Sequence, residues 1–353
     1  MSTTVDQPRA TPQAPPVARR LRGVLLGRDA AIVALLVVVS ILGCVFVPFF
    51  ASPETVYFLL LDVFPILLIA LPMTLVIISA EIDLSVASML GLAAGIFGLL
   101  FRAGAPVPVA ALVALVVGVV GGALNGFLIT FVGLPSLAVT VGTLALYRGL
   151  DLALLGTDTI AGYTEGWRTL TRDRLGGPGQ PFPTVILLFL VLAAAFIVVL
   201  HFTPAGRAVY ASGLNDEASI FSGVDTRLVR FWLFVATGTV SALAGVFWAL
   251  YFNSARGDSG LGLELSVVAA VLVGGVSIFG GRGALPGVIA AVLLIGVLRS
   301  MLSLQGVTQD AINVVTGVLL IASVLVPRLL AAVGALRARS SRKAERQRTP
   351  AAS

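Results

Sequence analysis

The residues most able to do chemistry lie where an apolar sequence suddenly turns polar. Ser79-Ala80-Glu81-Ile82-Asp83-Leu84-Ser85 joins two strongly apolar runs with almost no loop, and it brings two carboxylates and two hydroxyls. Charged and polar groups at membrane depth are costly and mark function or pairing. Irregular backbone there survives only when protein covers it or when it lines a wet cavity. Two readings stand together. The segment is a broken helix lending polar groups to a pathway, or it is a short turn in which Asp83 caps the next helix. Asn125, followed by Gly126, is a second buried polar point suited to interhelical hydrogen bonding. Arg148 and Asp151 are three residues apart and can pair on one helix face. Arg299 lies near the end of its run and can snorkel. Asn313 and Thr316 share a face, and His201 closes another run at a membrane interface.

Several chemistries are excluded. A phosphate-binding loop needs a Lys after a Gly-rich turn, and the only lysine, Lys343, follows no such turn. No Gly-x-Ser-x-Gly or His-Glu-x-x-His pattern occurs, and the single His leaves a Ser nucleophile without its base. One Cys and one His make no Cys/His metal cluster, and Cys44 reads as a small apolar filler with no disulfide partner. No cofactor is expected on this chain, and enzyme chemistry is not expected of it.

The elements that must position these groups are membrane helices. The chain has 353 residues, 58% of them hydrophobic and 11% charged, with a mean hydropathy of +1.04. Soluble domains hold about 25% charged residues. A globule in water needs polar cover that this chain does not have. A spanning helix needs about 20 apolar residues, and ten runs fit approximately: 30–50, 57–79, 85–101, 107–131, 134–155, 182–202, 228–252, 263–279, 285–304 and 311–333. The expected fold is an all-α polytopic bundle of about ten spans, residues 29–333. It is flanked by a polar, disordered N-terminal tail (1–28) and a basic C-terminal tail (334–353). The first run is too long for a signal-peptide core. The runs are continuous and do not alternate, so a β-barrel does not fit.

Charge placement sets orientation. Arg9, Arg19, Arg20, Arg22 and Arg28 precede the first run. Arg328, Arg337, Arg339, Arg342, Lys343, Arg346 and Arg348 follow the last. With Arg207, Arg227, Arg230 and Arg282 they outnumber Arg102, Arg168, Arg172, Arg174 and Arg256 on the opposite side. The excess puts both termini in the cytoplasm. The net charge of +6 therefore reads as topology and lipid-headgroup contact, with no nucleic acid partner. Glycines at spacing four (118, 122, 126; 91, 95) make flat helix faces for close packing.

Two connections are long. Residues 156–181 face outward and end in Gly176-Gly177-Pro178-Gly179. Residues 203–227 face inward, and there Asn215 can cap a short helix with Asp216 and Glu217 in its first turn. A capped helix carrying an exposed Phe221 suits docking into another protein, and it equally suits an ordinary amphipathic connector.

The inward connection resembles the coupling loop of ribose-type (monosaccharide) ABC importer permeases through Gly206, Arg207, Tyr210, Ala211, Gly213, Asn215, Ala218, Ser222 and Gly223. The stretch from Met73 through Asp83 and Ser85 to Ser88 is similar too. So are Gly122-Ala-Leu-Asn125-Gly126 with 134–149, and 264–275 with Gly280-Gly281-Arg-Gly283. The matches cover residues 57–333 in order. Glu81 stands where many ribose permeases have Gly, which brings the stretch Glu81–Ser88 nearer to rhamnose-type permeases; members of the family carry monosaccharides, and some carry autoinducer 2.

The resemblance implies a multi-pass inner-membrane permease working by alternating access. Its partners would be cytoplasmic ATP-binding subunits, a second permease copy or paralogue, an extracytoplasmic sugar-binding protein and membrane lipid. ATP would sit on the partner subunits. Gly206, Arg207, Tyr210, Gly213, Asn215, Glu217, Ala218 and Gly223 would then couple to the ATPase, and Asp83, Ser85, Ser88, Asn125 and Thr140 would line the sugar's path. A permease for branched-chain amino acids shares this architecture, and an ion-coupled secondary transporter remains the reading from another class.

Overall fold

A computed structural model describes residues 28–308 and, beyond them, 310–315, 317, 318, 321 and 325. The expected tails 1–27 and 334–353, and most of the tenth run with Thr316, lie outside the described residues.

Among the described residues up to 308 the helices are α1 (Arg28–Phe46), α2 (Pro53–Ile78), α3 (Val86–Arg102), α4 (Val107–Thr130), α5 (Ser136–Leu155), α6 (Glu165–Arg172), α7 (Ile186–Phe202), α8 (Pro204–Leu214), α9 (Asp216–Phe221), α10 (Thr226–Phe252), α11 (Leu263–Val273) and α12 (Leu285–Leu304), and 310–315 are helical as well. The strands, β1 (Ile160–Ala161) and β2 (Ser254–Ala255), pair antiparallel. Five helices (α2, α4, α5, α10 and α12) are long and apolar enough to cross a membrane, and α7 with α8 makes a sixth candidate bent by 67°. The ten runs read from sequence thus become fewer full-length helices among the described residues. The run 263–279 shows why. Its helix stops at Gly274, and Gly275 takes a positive φ of 93°. Eleven residues rise about 16 Å, roughly half of a hydrocarbon core.

α2 is the central post, buried from Val63 to Ile78. Around it, α4, α5 and α7 turn apolar faces outward, with Val120 62%, Leu137 52% and Val191 67% exposed. Lipid tails are as apolar as these side chains, so close packing rather than the hydrophobic effect must hold the helices together. The glycine stripes supply that packing. Gly118, Gly122 and Gly126 lie against Gly238, Phe234 and Phe231 of α10. A Cβ at Gly122 would collide with the Phe234 backbone carbonyl, which cannot rotate away. Gly122→Leu is therefore expected to force α4 from α10 and cost about 1–3 kcal/mol or more. A drop in apparent melting temperature of the detergent-purified protein measures it, and an unchanged melting curve would contradict the packing argument.

The second stripe makes room for charge. Gly91 and Gly95 of α3 face the Arg148–Asp151 pair of α5, whose closest N···O distance is 3.8 Å. Arg148 also donates to the Gly257 and Ser259 carbonyls at 2.9 and 2.8 Å. A side chain at either glycine would occupy the space that the ions fill.

At the end of the bundle holding β1 and β2, loops are cross-tied. The Asn253 side chain accepts from the Gly162 and Tyr163 amides, Tyr57 donates to the Arg172 carbonyl, and Arg174 pairs with Glu54. That hydrogen bond from Arg174 to Glu54 raises the guanidinium above its ordinary value.

Candidate functional site

The opposite end of the bundle gathers the residues singled out by sequence. α2 ends at Ile78, Ser79 donates back to the Val76 carbonyl, and Ala80 takes a positive φ of 65°. That left-handed residue turns the chain away from the helix axis, and 81–84 run without regular structure into α3. The break directs Asp83 inward, where it is 1% exposed.

Asp83 Oδ1 accepts from the Ser85 amide at 3.0 Å and from the Ser85 hydroxyl at 2.6 Å. Its Oδ2 accepts from Thr237 of α10 at 2.7 Å. Asn125 of α4 donates to Ser85 Oγ at 2.8 Å. Ser88 donates to the Ser85 carbonyl at 2.8 Å, and Thr140 of α5 donates to the Ile82 carbonyl at 3.3 Å. Ser136 Oγ accepts from the Ile82 amide. One broken segment therefore ties α3, α4, α5 and α10 through a buried polar cluster.

The segment 79–85 is a turn between two helices, but Asp83 does not cap α3: Ser85 is its N-cap residue with no side-chain capping bond, and Asp83 accepts from the Ser85 amide ahead of the helix. The five residues expected along a solute's path do come together. They are closed, however, with Asp83, Ser85, Ser88, Asn125 and Thr140 all buried. Among the described residues, Asn125 Oδ1 and the fully buried Ser241 hydroxyl have no hydrogen-bond partner. Buried polar atoms are nearly always satisfied, so these two are open acceptor and donor capacity beside the cluster.

The connection 203–227 packs on the same corner. Thr203 caps α8 by accepting from the Gly206 amide, and Asn215 caps α9 by accepting from the Ala218 amide at 3.0 Å. Gly206 lies against the Leu200 carbonyl of the preceding helix, which permits the sharp bend. Gly213 lies against the Ile78 carbonyl, which also accepts from the Gly281 amide at 2.8 Å. Tyr210 donates to the Gly283 carbonyl at 2.7 Å. Gly223 takes a φ of 82° beyond α9. Arg207, Glu217 and Ala218 are exposed. Leu214 (66%) and Phe221 (85%) expose large apolar surfaces.

Sequence reasoning passed over three residues. Arg230 was read only as a topology charge. Its Nε lies 3.3 Å from Glu81 and its other guanidinium arm 3.1 Å from Asp216, so it bridges the broken segment to the first turn of α9. These residues wall a polar cavity of about 370 Å³ with the 133–136 corner. Thr237 completes the carboxylate's bonds from 154 positions away, and nothing in an apolar helix marks one Thr from the next. Asp62 is the second carboxylate of α2, after Glu54 in its first turn, and is visible as a charge in the apolar run 57–79. Arg299, expected to snorkel outward, instead bonds Ser266 of α11 at 3.3 Å and stays half-buried.

The comparisons with known proteins agree with this architecture. Over 301 residues, covering 85% of this chain and 91% of the relative, the sequence is 34% identical to the "Autoinducer 2 import system permease protein LsrD" of Escherichia coli strain K12. The proteins of that name from Escherichia coli O157:H7 and Shigella flexneri match to the same extent. No solved structure matches. A family described as "Branched-chain amino acid transport system / permease component" matches residues 55–324. With these matches and several apolar helices, the chain belongs to that ABC-type permease family and is a multi-pass inner-membrane protein.

Proposed function

We propose that the chain is the permease subunit of an ABC importer that carries a monosaccharide or a similar small hydroxylated solute, such as ribose, rhamnose or autoinducer 2. It would dimerise with a second copy or a paralogue, dock two ATP-binding subunits on 203–227, and receive solute from an extracytoplasmic binding protein. Both termini would be cytoplasmic, with about ten membrane passages. Branched-chain amino acids, the solutes in the family's description, are the alternative cargo.

One observation supports this reading most: Arg230 bridges Asp216 on α9 and Glu81 on the broken segment. A push on α9 by a partner ATPase reaches Glu81 through one side chain. Two residues further on, Asp83 and Ser85 hold α10 and α4. Asp83, Ser85, Ser88, Asn125 and Thr140 would form the wall of the path that parts when the bundle rocks. Hydroxyls and amides suit a neutral solute, which needs hydrogen-bond partners weak enough to release it.

Contiguity alone is not coupling, so the test is functional. In the reconstituted importer, Arg230→Met is expected to leave insertion and basal ATP hydrolysis intact while lowering ATP-driven sugar uptake about tenfold. Adding Asp216→Asn should lower uptake little further, because both changes cut one link. Full uptake by Arg230→Met would overturn the coupling role, and solute movement without any ATPase subunit would overturn the importer itself.

A further inference from the structure

Away from the broken segment, α2, α10, α11 and α12 enclose a cavity of about 500 Å³. Its walls combine aromatic faces (Phe58, Trp248, Phe252) with Asp62, Arg299 and Ser300. Asp62 is the tenth residue of α2, about 14 Å along the helix from its start. Its side chain is exposed to this space. Among the described residues no hydrogen bond or ion pair reaches it, and Arg299 is the charge that acts on it across the cavity. Arg299 bonds Ser266, while its buried Nε has no partner. A carboxylate left open in an apolar helix is expensive, and here it faces unused donor capacity across a space large enough for a small molecule.

Resting on the permease reading above, we propose that this cavity is the solute chamber and that it recognises a monosaccharide-sized neutral polyol. Asp62 accepts from adjacent hydroxyls of the solute. Arg299 donates to ring or hydroxyl oxygens. Trp248 and Phe252 pack on the C–H face, giving apolar contact without asking for charge. Asp62 and Arg299 carry opposed charges, and Glu54, which also lines the cavity, is paired with Arg174, so the empty chamber is electrically balanced and a neutral solute can leave as it entered.

The test uses the complete importer in lipid nanodiscs, where both faces meet solvent and sidedness does not matter. Cys44 is the lone thiol, so Cys44→Ser with Ser300→Cys puts a single reporter in the chamber. A water-soluble maleimide is expected to label it. Whichever of D-ribose or L-rhamnose the complex takes up is expected to slow that labelling, and L-leucine is not. Adding Asp62→Asn is expected to leave labelling without sugar intact and to raise the half-protecting sugar concentration about tenfold, the scale of one lost charge-assisted hydrogen bond. No labelling, or labelling untouched by a sugar that the same complex transports, overturns the chamber and leaves the importer reading standing. Protection by leucine alone overturns the solute class. Failure to move any of ribose, rhamnose and autoinducer 2 on ATP overturns the reading on which the chamber rests.

Discussion

Asp83→Ala is expected to destabilise the protein severely, whereas Asp83→Asn should be tolerated. The carboxylate collects three donors: the Ser85 amide, the Ser85 hydroxyl and the Thr237 hydroxyl. Truncation to Ala does not orphan all of them. Thr237 also reaches the Phe234 carbonyl at 2.9 Å and can fall back on it. The Ser85 amide has no such recourse, and its hydroxyl recovers a bond only if the Asn125 amide flips to present its open Oδ1, which ends the donation from Asn125. A buried donor left unpaired costs about 1–3 kcal/mol, so the loss is about 1–3 kcal/mol with the flip and about 2–6 kcal/mol without it. The damage spreads, because Asn125 is held through Ser85 Oγ. Asn at 83 keeps the shape. Its carbonyl accepts from Ser85, and its amide donates to Thr237, whose hydroxyl then donates to Phe234. The comparison is read from membrane yield and from thermal unfolding of the purified protein, where Ala should lower the apparent midpoint by at least about 5 °C. Equal behaviour of the two variants would show that the cluster does not depend on these bonds.

The contrast between legible and illegible parts follows from range. Helix existence was readable because an apolar run long enough to cross lipid has few other meanings. The Asn215 cap and the 79–85 break were readable because caps and turns are local chemistry. The run 263–279 was misjudged, because hydropathy continues through Val276 and Ile278 while the backbone has already turned at Gly274-Gly275. Gly91 and Gly95 were readable as a packing stripe, but what they pack against, a charged pair on α5, was not. The Asp83 cluster was half readable. Its residues from the break and from Asn125 were in view, but Thr237 enters from α10, and only the fold brings it there. Arg230 has partners 14 and 149 positions away, so its role appears only once α9 and the break meet. Asp62 carried a plain signal, a single acid inside a long apolar run, and its meaning depends on the cavity that α10 and α12 complete.

Gly213→Val is expected to separate the connection 203–227 from the bundle without preventing membrane insertion. A Cβ at 213 would meet the Ile78 carbonyl oxygen and the Gly281 amide, both main-chain atoms that no rotamer change can move. Those two atoms are bonded to each other at 2.8 Å, so the side chain would wedge apart the joint where α2, α8 and the 280–283 turn converge. Gly280 also lies close to the Gly213 carbonyl and to Ala80, with too little room for a Cβ of its own, so the joint is tight there too. The joint touches only the last residue of α2 and leaves its apolar body untouched, and insertion follows hydropathy, so the variant should reach the membrane in near-normal amounts. What it should lose is rigidity between α8 and the broken segment. In the reconstituted importer this predicts ATP-driven uptake lower by about tenfold or more, with ATP hydrolysis no longer responding to solute. Gly166→Ala is the control, since a methyl there meets nothing within 4 Å and sits in the helix α6, where Ala is the better helix former. If Gly213→Val transports as well as Gly166→Ala, then tight docking of α8 on the end of α2 is not how force enters the bundle, and the route through Arg230 must act alone.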